Sequence, residues 1–220
     1  MRNLITPLLF LVHISFSFAQ DSIPSRLAVG FMPQQLLNNA ARPELFYHFQ
    51  SGHRLLLAPV FYFGETNAYA TTRSERFREM SQLNALDQVS GFGGEVQFQF
   101  HFGKTNVRQY VALGVGYHSI GLSFTDFDWV STIRDDLPVL VYRLTPQQDL
   151  IRRVEILLLG GIHLIEGDYS RFDLFVGPVY KFTEIETTLE APRDYENMWR
   201  DHGFGGLGIR GGFSFSFLII

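Results

Sequence analysis

Cysteine is absent from this chain of 220 residues. That excludes disulfides, thiolate zinc sites, cysteine nucleophiles and a lipidated N-terminal cysteine. Long apolar runs are scarce too. Beyond the N-terminus no uninterrupted run of about 18 apolar residues occurs, so a helical membrane protein is excluded. A transmembrane β-barrel is not, because only every second residue of its strands meets lipid. Charge is thin, at 18% of residues, and the net charge of −4 offers no basic surface for nucleic acid. What the chain has instead is apolar and aromatic: 46% hydrophobic residues and 22 Phe, too many for a disordered chain. Mean hydropathy nevertheless stays near zero, at +0.05.

The first residues read as an address. Arg2 is a short positive region, residues 4–18 are mostly apolar, and Ser17-Phe18-Ala19 puts small residues at −3 and −1 of a cleavage site. Residues 1–19 are therefore expected to be a signal peptide, with Gln20 as the new terminus. Residues 20–220 show no linker, composition shift or long repeat and read as one domain.

Period-two alternation dominates that domain. In Glu95-Val96-Gln97-Phe98-Gln99-Phe100-His101-Phe102 one face is Val and Phe, the other Glu, Gln and His. Phe172, Leu174, Val176, Pro178, Tyr180 and Phe182 alternate with Arg171, Asp173, Phe175, Gly177, Val179 and Lys181. Eight strands are predicted, at 25–32, 43–50, 54–64, 91–103, 108–124, 151–165, 170–184 and 205–218. Several exceed the usual strand of a soluble domain and match the roughly 9–11 residues that cross a bilayer. Leu36-Leu37-Asn38-Asn39-Ala40-Ala41 lacks alternation and suggests a turn of helix. Short polar turns (51–53, 103–107 and 166–168) alternate with longer links (33–42, 65–90, 125–150 and 185–204). The long links hold both Trp129 and Trp199, and 72–87 reads as a short helix. Transmembrane barrels show that asymmetry, with short turns on the periplasmic side.

The fold expected is all-β: an eight-stranded antiparallel up-and-down transmembrane β-barrel. Its inward face would collect Glu44, His48, Glu95, Gln97, Gln99, His101, His118, Arg153, Glu155, Asp173, Lys181 and Arg210. Both signs are present, so the charges can pair, as buried charges must. Glycines 114, 116, 161, 177, 208 and 212 would relieve crowding and permit curvature. Tyr47, Tyr62, Tyr110, Tyr117 and Tyr180 fit interfacial girdles. The competing reading is a soluble lipocalin-like barrel or β-sandwich, with the same faces reversed.

The last strand, Arg210-Gly211-Gly212-Phe213-Ser214-Phe215-Ser216-Phe217, resembles the terminal-strand signal of bacterial outer-membrane proteins. Arg210, Gly212, Phe215 and Phe217 carry the match, and the trailing Leu218-Ile219-Ile220 departs from it. The chain as a whole resembles the small outer-membrane barrels of the OmpA/OmpX/OmpW type, with a Bacteroidetes character in its Ala19-Gln20 junction and Phe-rich strands. The resemblance implies outer-membrane location, a periplasmic N-terminus, insertion by the outer-membrane assembly machinery, and contact with the bilayer and lipopolysaccharide. Fold resemblance does not carry function.

Chemistry is sparsely signalled. His101, His118, His163 and His48 face inward in this reading, but no ligand spacing occurs on a single element, so no metal, cofactor or catalytic residue is assigned. Tyr117-His118-Ser119 differs from the outer-membrane lipid A deacylase pattern, where one residue separates His from Ser; adjacent residues take opposite faces of a strand. The expectation is a non-enzymatic barrel with a structural or surface-interaction role, using loops 65–90 and 125–150 toward an extracellular partner. The alternatives are a narrow pore or conduit, with a lateral opening near Pro59 or Pro178, and, behind it, a lipid-modifying enzyme.

Overall fold

The computed structural model describes residues 27–49, 52–66, 87–102, 108–166, 170–189, 195 and 202–219. The signal segment 1–19, the turn residues 103–107, Gly167, Asp168 and Trp199 lie outside the described residues, as does the helix expected over 72–87 except for Asp87, which belongs to a strand. The strands are β1 (Leu27–Phe31), β2 (Ala40–Ala41), β3 (Pro43–His48), β4 (Arg54–Thr66), β5 (Asp87–Phe102), β6 (Gln109–Arg134), β7 (Leu137–Glu166), β8 (Ser170–Thr187) and β9 (Gly206–Ile219). A 3-10 helix, Pro33–Asn38, follows β1 where alternation failed in the sequence.

Every pairing is antiparallel, and all but β1–β3, β2–β4 and β1–β9 join consecutive strands. The sheet closes because β9 pairs with β1 and β4 pairs with β5. The result is an up-and-down ring of eight strands, β1 and β3–β9, with β2 extending β3 along β4. Leu45 faces Leu57 and Ala41 faces Phe61, so the same register sets Pro43 opposite Pro59. Neither proline has an N–H to give, which accounts for the ladder break between β2 and β3.

Alternation maps onto the ring as the sequence implies. Phe92 (62% exposed), Val96, Leu113, Val115, Ile156, Val176 (60%), Phe182 and Ile209 point outward. On β8 the outward apolar row runs from Phe172 to Phe182, a span of bilayer-crossing length. Above it come Ser119, Arg152 and Glu184, a polar row joined through the β6–β7 and β7–β8 ladders. Leu27 shares a rim with Tyr47 and Ile219, so the chain enters the ring on the side of the short links.

One expected loop is a strand pair. Residues 125–150 were read as a link, yet β6 and β7 stay in register up to Arg134↔Leu137. The turn is two residues, with Asp135 (φ 53) and Asp136 (φ 63) both left-handed. That is the mirror-image hairpin turn that fits strand twist, and Asp tolerates it. Past Ser123 and Asp149, the last residues paired to β5 and β8, the two strands continue as a ribbon. At about 3.4 Å per residue it reaches roughly 35 Å. Trp129 lies on this ribbon, facing Tyr142, not in a loop. β4 and β5 likewise take in residues 65–66 and 87–90, and β8 runs to Thr187.

Gly177 lies at a close approach of the β7–β8 ladder, whose register shift falls further along, between His163 and Ile165. A Cβ there would stand 2.0 Å from the Leu158 carbonyl oxygen and 2.8 Å from Leu159 Cα, both backbone atoms that cannot yield cheaply. Gly94 has nothing closer than the Ala58 oxygen at 3.8 Å. Gly177→Ala is therefore expected to cost about 2–3 kcal/mol in urea-unfolding free energy, and Gly94→Ala within about 0.5 kcal/mol. Equal midpoints for the two variants would show that the ladder is not tight at Gly177.

Candidate functional site

The ring buries its charges. Glu44, Glu95, Gln97, Gln99, His118, Arg153, Glu155 and Asp173 are buried inside it, and His48, His101, Lys181 and Arg210 are half-buried on the same face. Nine of these twelve sequence-derived positions fall into two connected networks; His48 bonds Arg171, and Gln99 and Lys181 stand beside them.

The central network joins three glutamates to three arginines. Arg210 on β9 donates from Nη1 to Glu95 Oε1 and from Nη2 to Glu155 Oε2, each at 2.6 Å. Arg42, between β2 and β3, donates to Glu95 at 2.8 Å and pairs with Glu44 at 3.1 Å. Arg153 pairs with Glu155 at 2.9 Å, and Gln97 donates to Glu95 at 3.1 Å. Ser214 donates its hydroxyl to Glu44. Three carboxylates thus meet three guanidiniums in a space where Glu155 is 0% exposed. Ion pairs are strong there and unpaired charge is intolerable. His118 Nε2 stands 3.9 Å from Glu95 and 3.7 Å from Glu155, while its Nδ1 bonds the Tyr62 hydroxyl at 2.8 Å. Glu95, His118 and Glu155 lie close enough to chelate a cation. Arg42, Arg153 and Arg210 already occupy those carboxylates, however, so the donor set does not fit a metal.

The second network lies toward the short-link rim. Asp173 accepts from Arg54 Nη2 at 3.0 Å and from His163 Nδ1. His163 Nε2 lies 2.9 Å from Arg54 Nη2 and 2.8 Å from His101 Nε2, and His101 Nε2 itself accepts from Arg54 Nε at 3.3 Å. The two rings stack at 5.0 Å, Tyr110 stacks on His163 at 5.2 Å, and Arg54 lies over the Phe46 ring. His48 contacts Arg171 at 3.1 Å.

On the opposite side the interior turns apolar. Ala40, Val60, Val89, Ile120, Leu122, Phe124 and Ile151 pack around Tyr62 and Tyr195. Tyr195 comes from the β8–β9 connector and donates to Asp149 at 2.5 Å. The same connector accepts from Arg153 at the His202 carbonyl and from Thr183 at the Phe204 carbonyl. Between the networks, a void lined by Met32, Leu56, Tyr110, Leu159, Phe175 and others measures about 10 Å³, room for about one water.

Several side chains here escaped sequence reading. Arg42 and Arg54 sit at strand margins, where alternation is weakest, yet Arg54 is 1% exposed. Tyr62 and Tyr110 were expected in the outer girdles; both point inward, while Tyr47, Tyr117 and Tyr180 point outward. Tyr110 was legible only through its partner. It faces Gly161 across the ladder, where a Cβ would meet the ring at 2.2 Å. Ser119 lies on the face opposite His118, so the two do not form a pair.

No family profile and no curated protein matches the chain. Among solved structures it is similar to CarO of Acinetobacter baumannii, with 7% identity, a TM-score of 0.42, and coverage of 91% of this chain and 100% of that one.

Two outcomes follow. Arg54→Met leaves the Asp173 carboxylate without its guanidinium and should cost about 3–5 kcal/mol in urea unfolding, whereas Arg54→Met with Asp173→Leu should recover most of it. A double variant as weak as the single one would mean that Arg54 acts by packing alone. The second concerns His202, whose pKa is lowered from 6.5 to about 3 by burial, then by the Arg153 and Lys181 charges. Once released, the connector takes up a proton at its ordinary pKa. The seated connector is thus fully favoured above pH 6.5 and loses that advantage as pH falls toward 3. The hydrogen-exchange protection factors of residues 202–205, which discount the intrinsic pH dependence of exchange, should fall on acidification, and His202→Gln should flatten the response.

Proposed function

We propose that this chain is an integral outer-membrane β-barrel that contributes structure or surface interaction rather than catalysis or conduction. One observation carries the reading: the polarity is inverted. Glutamates, arginines and histidines fill the interior, while Phe, Val, Leu and Ile cover the outside. Water would favour the opposite arrangement, and hydrocarbon favours this one. The height of the outward apolar row and the polar row above it agree with a bilayer and its headgroup region.

In this reading residues 1–19 are removed on export, and the N-terminus and the short links face the periplasm. The assembly machinery receives the last strand, and lipid and lipopolysaccharide surround the wall. The β6–β7 ribbon stands outside the cell with Trp129, Ile133, Leu140 and Tyr142 exposed on it. That ribbon and the link over 65–90 are the surfaces for an extracellular partner. The Bacteroidetes-type OmpA/OmpX/OmpW resemblance belongs to the same proposal. A conducting pore is disfavoured by the paired charges, the apolar tier above them and the small void between. An enzyme is disfavoured because the buried histidines are held by Asp173, Arg54 and Tyr62, with no serine or threonine hydroxyl bonded to them among the described residues.

Arginine placed by Val115→Arg on the outward wall should lower folding stability in lipid vesicles by about 2–4 kcal/mol. Leu140→Arg, on the ribbon, should be nearly silent. If both are silent in vesicles, or the unmodified chain stays monomeric in plain buffer, the wall does not face lipid. Planar-bilayer recordings should show no steady conductance; a reproducible open level would restore the pore reading.

A further inference from the structure

All three glutamates of the central network take a hydrogen bond from β9. Arg210 serves Glu95 and Glu155, and Ser214 serves Glu44. Yet β9 is a ladder neighbour of β8 and β1 only. These bonds therefore reach across the interior to β5, β7 and β3. Without β9 the network holds three carboxylates against the two guanidiniums of Arg42 and Arg153. The last strand of the chain brings the missing positive charge.

Register is where this matters. The outward face of β9 repeats one theme, with Leu207, Ile209, Phe213, Phe215, Phe217 and Ile219, broken only by Gly211. A slip of two residues keeps this whole row outside and so costs little on that face. On the inward face Gly208, Gly212, Ser214 and Ser216 are small, and the one large apolar residue is Leu218 at the strand's end, packed against the Ala28 and Phe46 cluster. Arg210 is the one charged inward residue of the strand, and a two-residue slip carries its guanidinium roughly 7 Å along the ring, away from both glutamates.

We propose that Arg210 is the register pin of ring closure: β9 seats stably only in the alignment that bridges Glu95 to Glu155, and the terminal aromatic residues do not choose it. A buried polar group that selects one register among near-equivalent ones is the best-attested use of such groups. It rests on the closed ring and its interior pairs, not on which membrane surrounds the wall.

A chain free of cysteine allows the register to be read by disulfide trapping. Val29 faces Phe217 across the β1–β9 ladder. The pair Val29→Cys with Phe217→Cys reports the native alignment; Val29→Cys with Phe215→Cys or with Ile219→Cys reports a slip of two. The full chain is refolded from urea into detergent micelles and oxidised. With Arg210 intact, only the native pair should close. With Arg210→Ser, the slipped pairs should rise about tenfold relative to the native one. If that variant does not fold, adding Glu95→Gln leaves two carboxylates against two guanidiniums, Glu44 with Arg42 and Glu155 with Arg153; yield should return with the register still mixed. Native trapping alone in either background overturns the pin. A double variant that stays unfolded overturns it as well, because no carboxylate there would still lack a guanidinium.

Discussion

In the charged tier of this ring every carboxylate meets a guanidinium. Glu95 is held by Arg42 and Arg210, Glu155 by Arg153 and Arg210, and Asp173 by Arg54. The cost of removing such groups from water exceeds what any single hydrogen bond returns. Their positions must therefore be set together, by strands far apart in sequence. Strand spacing, ladder register and the small residues opposite the long ones all serve that requirement. The apolar outer face makes a separate, looser demand that many alignments could meet.

The two tiers of the interior divide the work. The charged tier ties β2–β5 to β7, β8 and β9 through side chains, in addition to the ladders between neighbours. The apolar tier around Ile120, Ile151 and Tyr195 resembles an ordinary core and needs no exact pairing. It admits part of the connector between β8 and β9, anchored by Asp149, Arg153 and Thr183. The link that closes the chain's path thus also covers the network beneath it.

Much of this was legible in the sequence where alternation is uninterrupted. Glu95 to His101 and Asp173 to Val179 alternate cleanly, so their inward residues followed from period two alone. Arg42 and Arg54 were not legible, because each stands beside a break, Pro43 in one case and the 49–53 turn in the other. Tyr62 and Tyr110 misled because a tyrosine suits both a membrane interface and an interior hydrogen bond. The ribbon was missed because polar residues such as Asp128, Thr132 and Arg143 interrupt it, and strands outside lipid need no continuous apolar row. The pairing of Arg210 with both glutamates lay beyond reach: alternation gives a face, and only the closed ring gives partners across it.

The two-tier filling has a bearing on permeability. Among the described residues the eight-stranded wall is filled by salt bridges in one tier and apolar side chains in the other, with a void of about 10 Å³ beside the charges. In the membrane setting proposed above, such filling would offer ions and protons no wetted route. A cell could then accumulate many copies of the wall, and display as many ribbons above it, without making its membrane leakier.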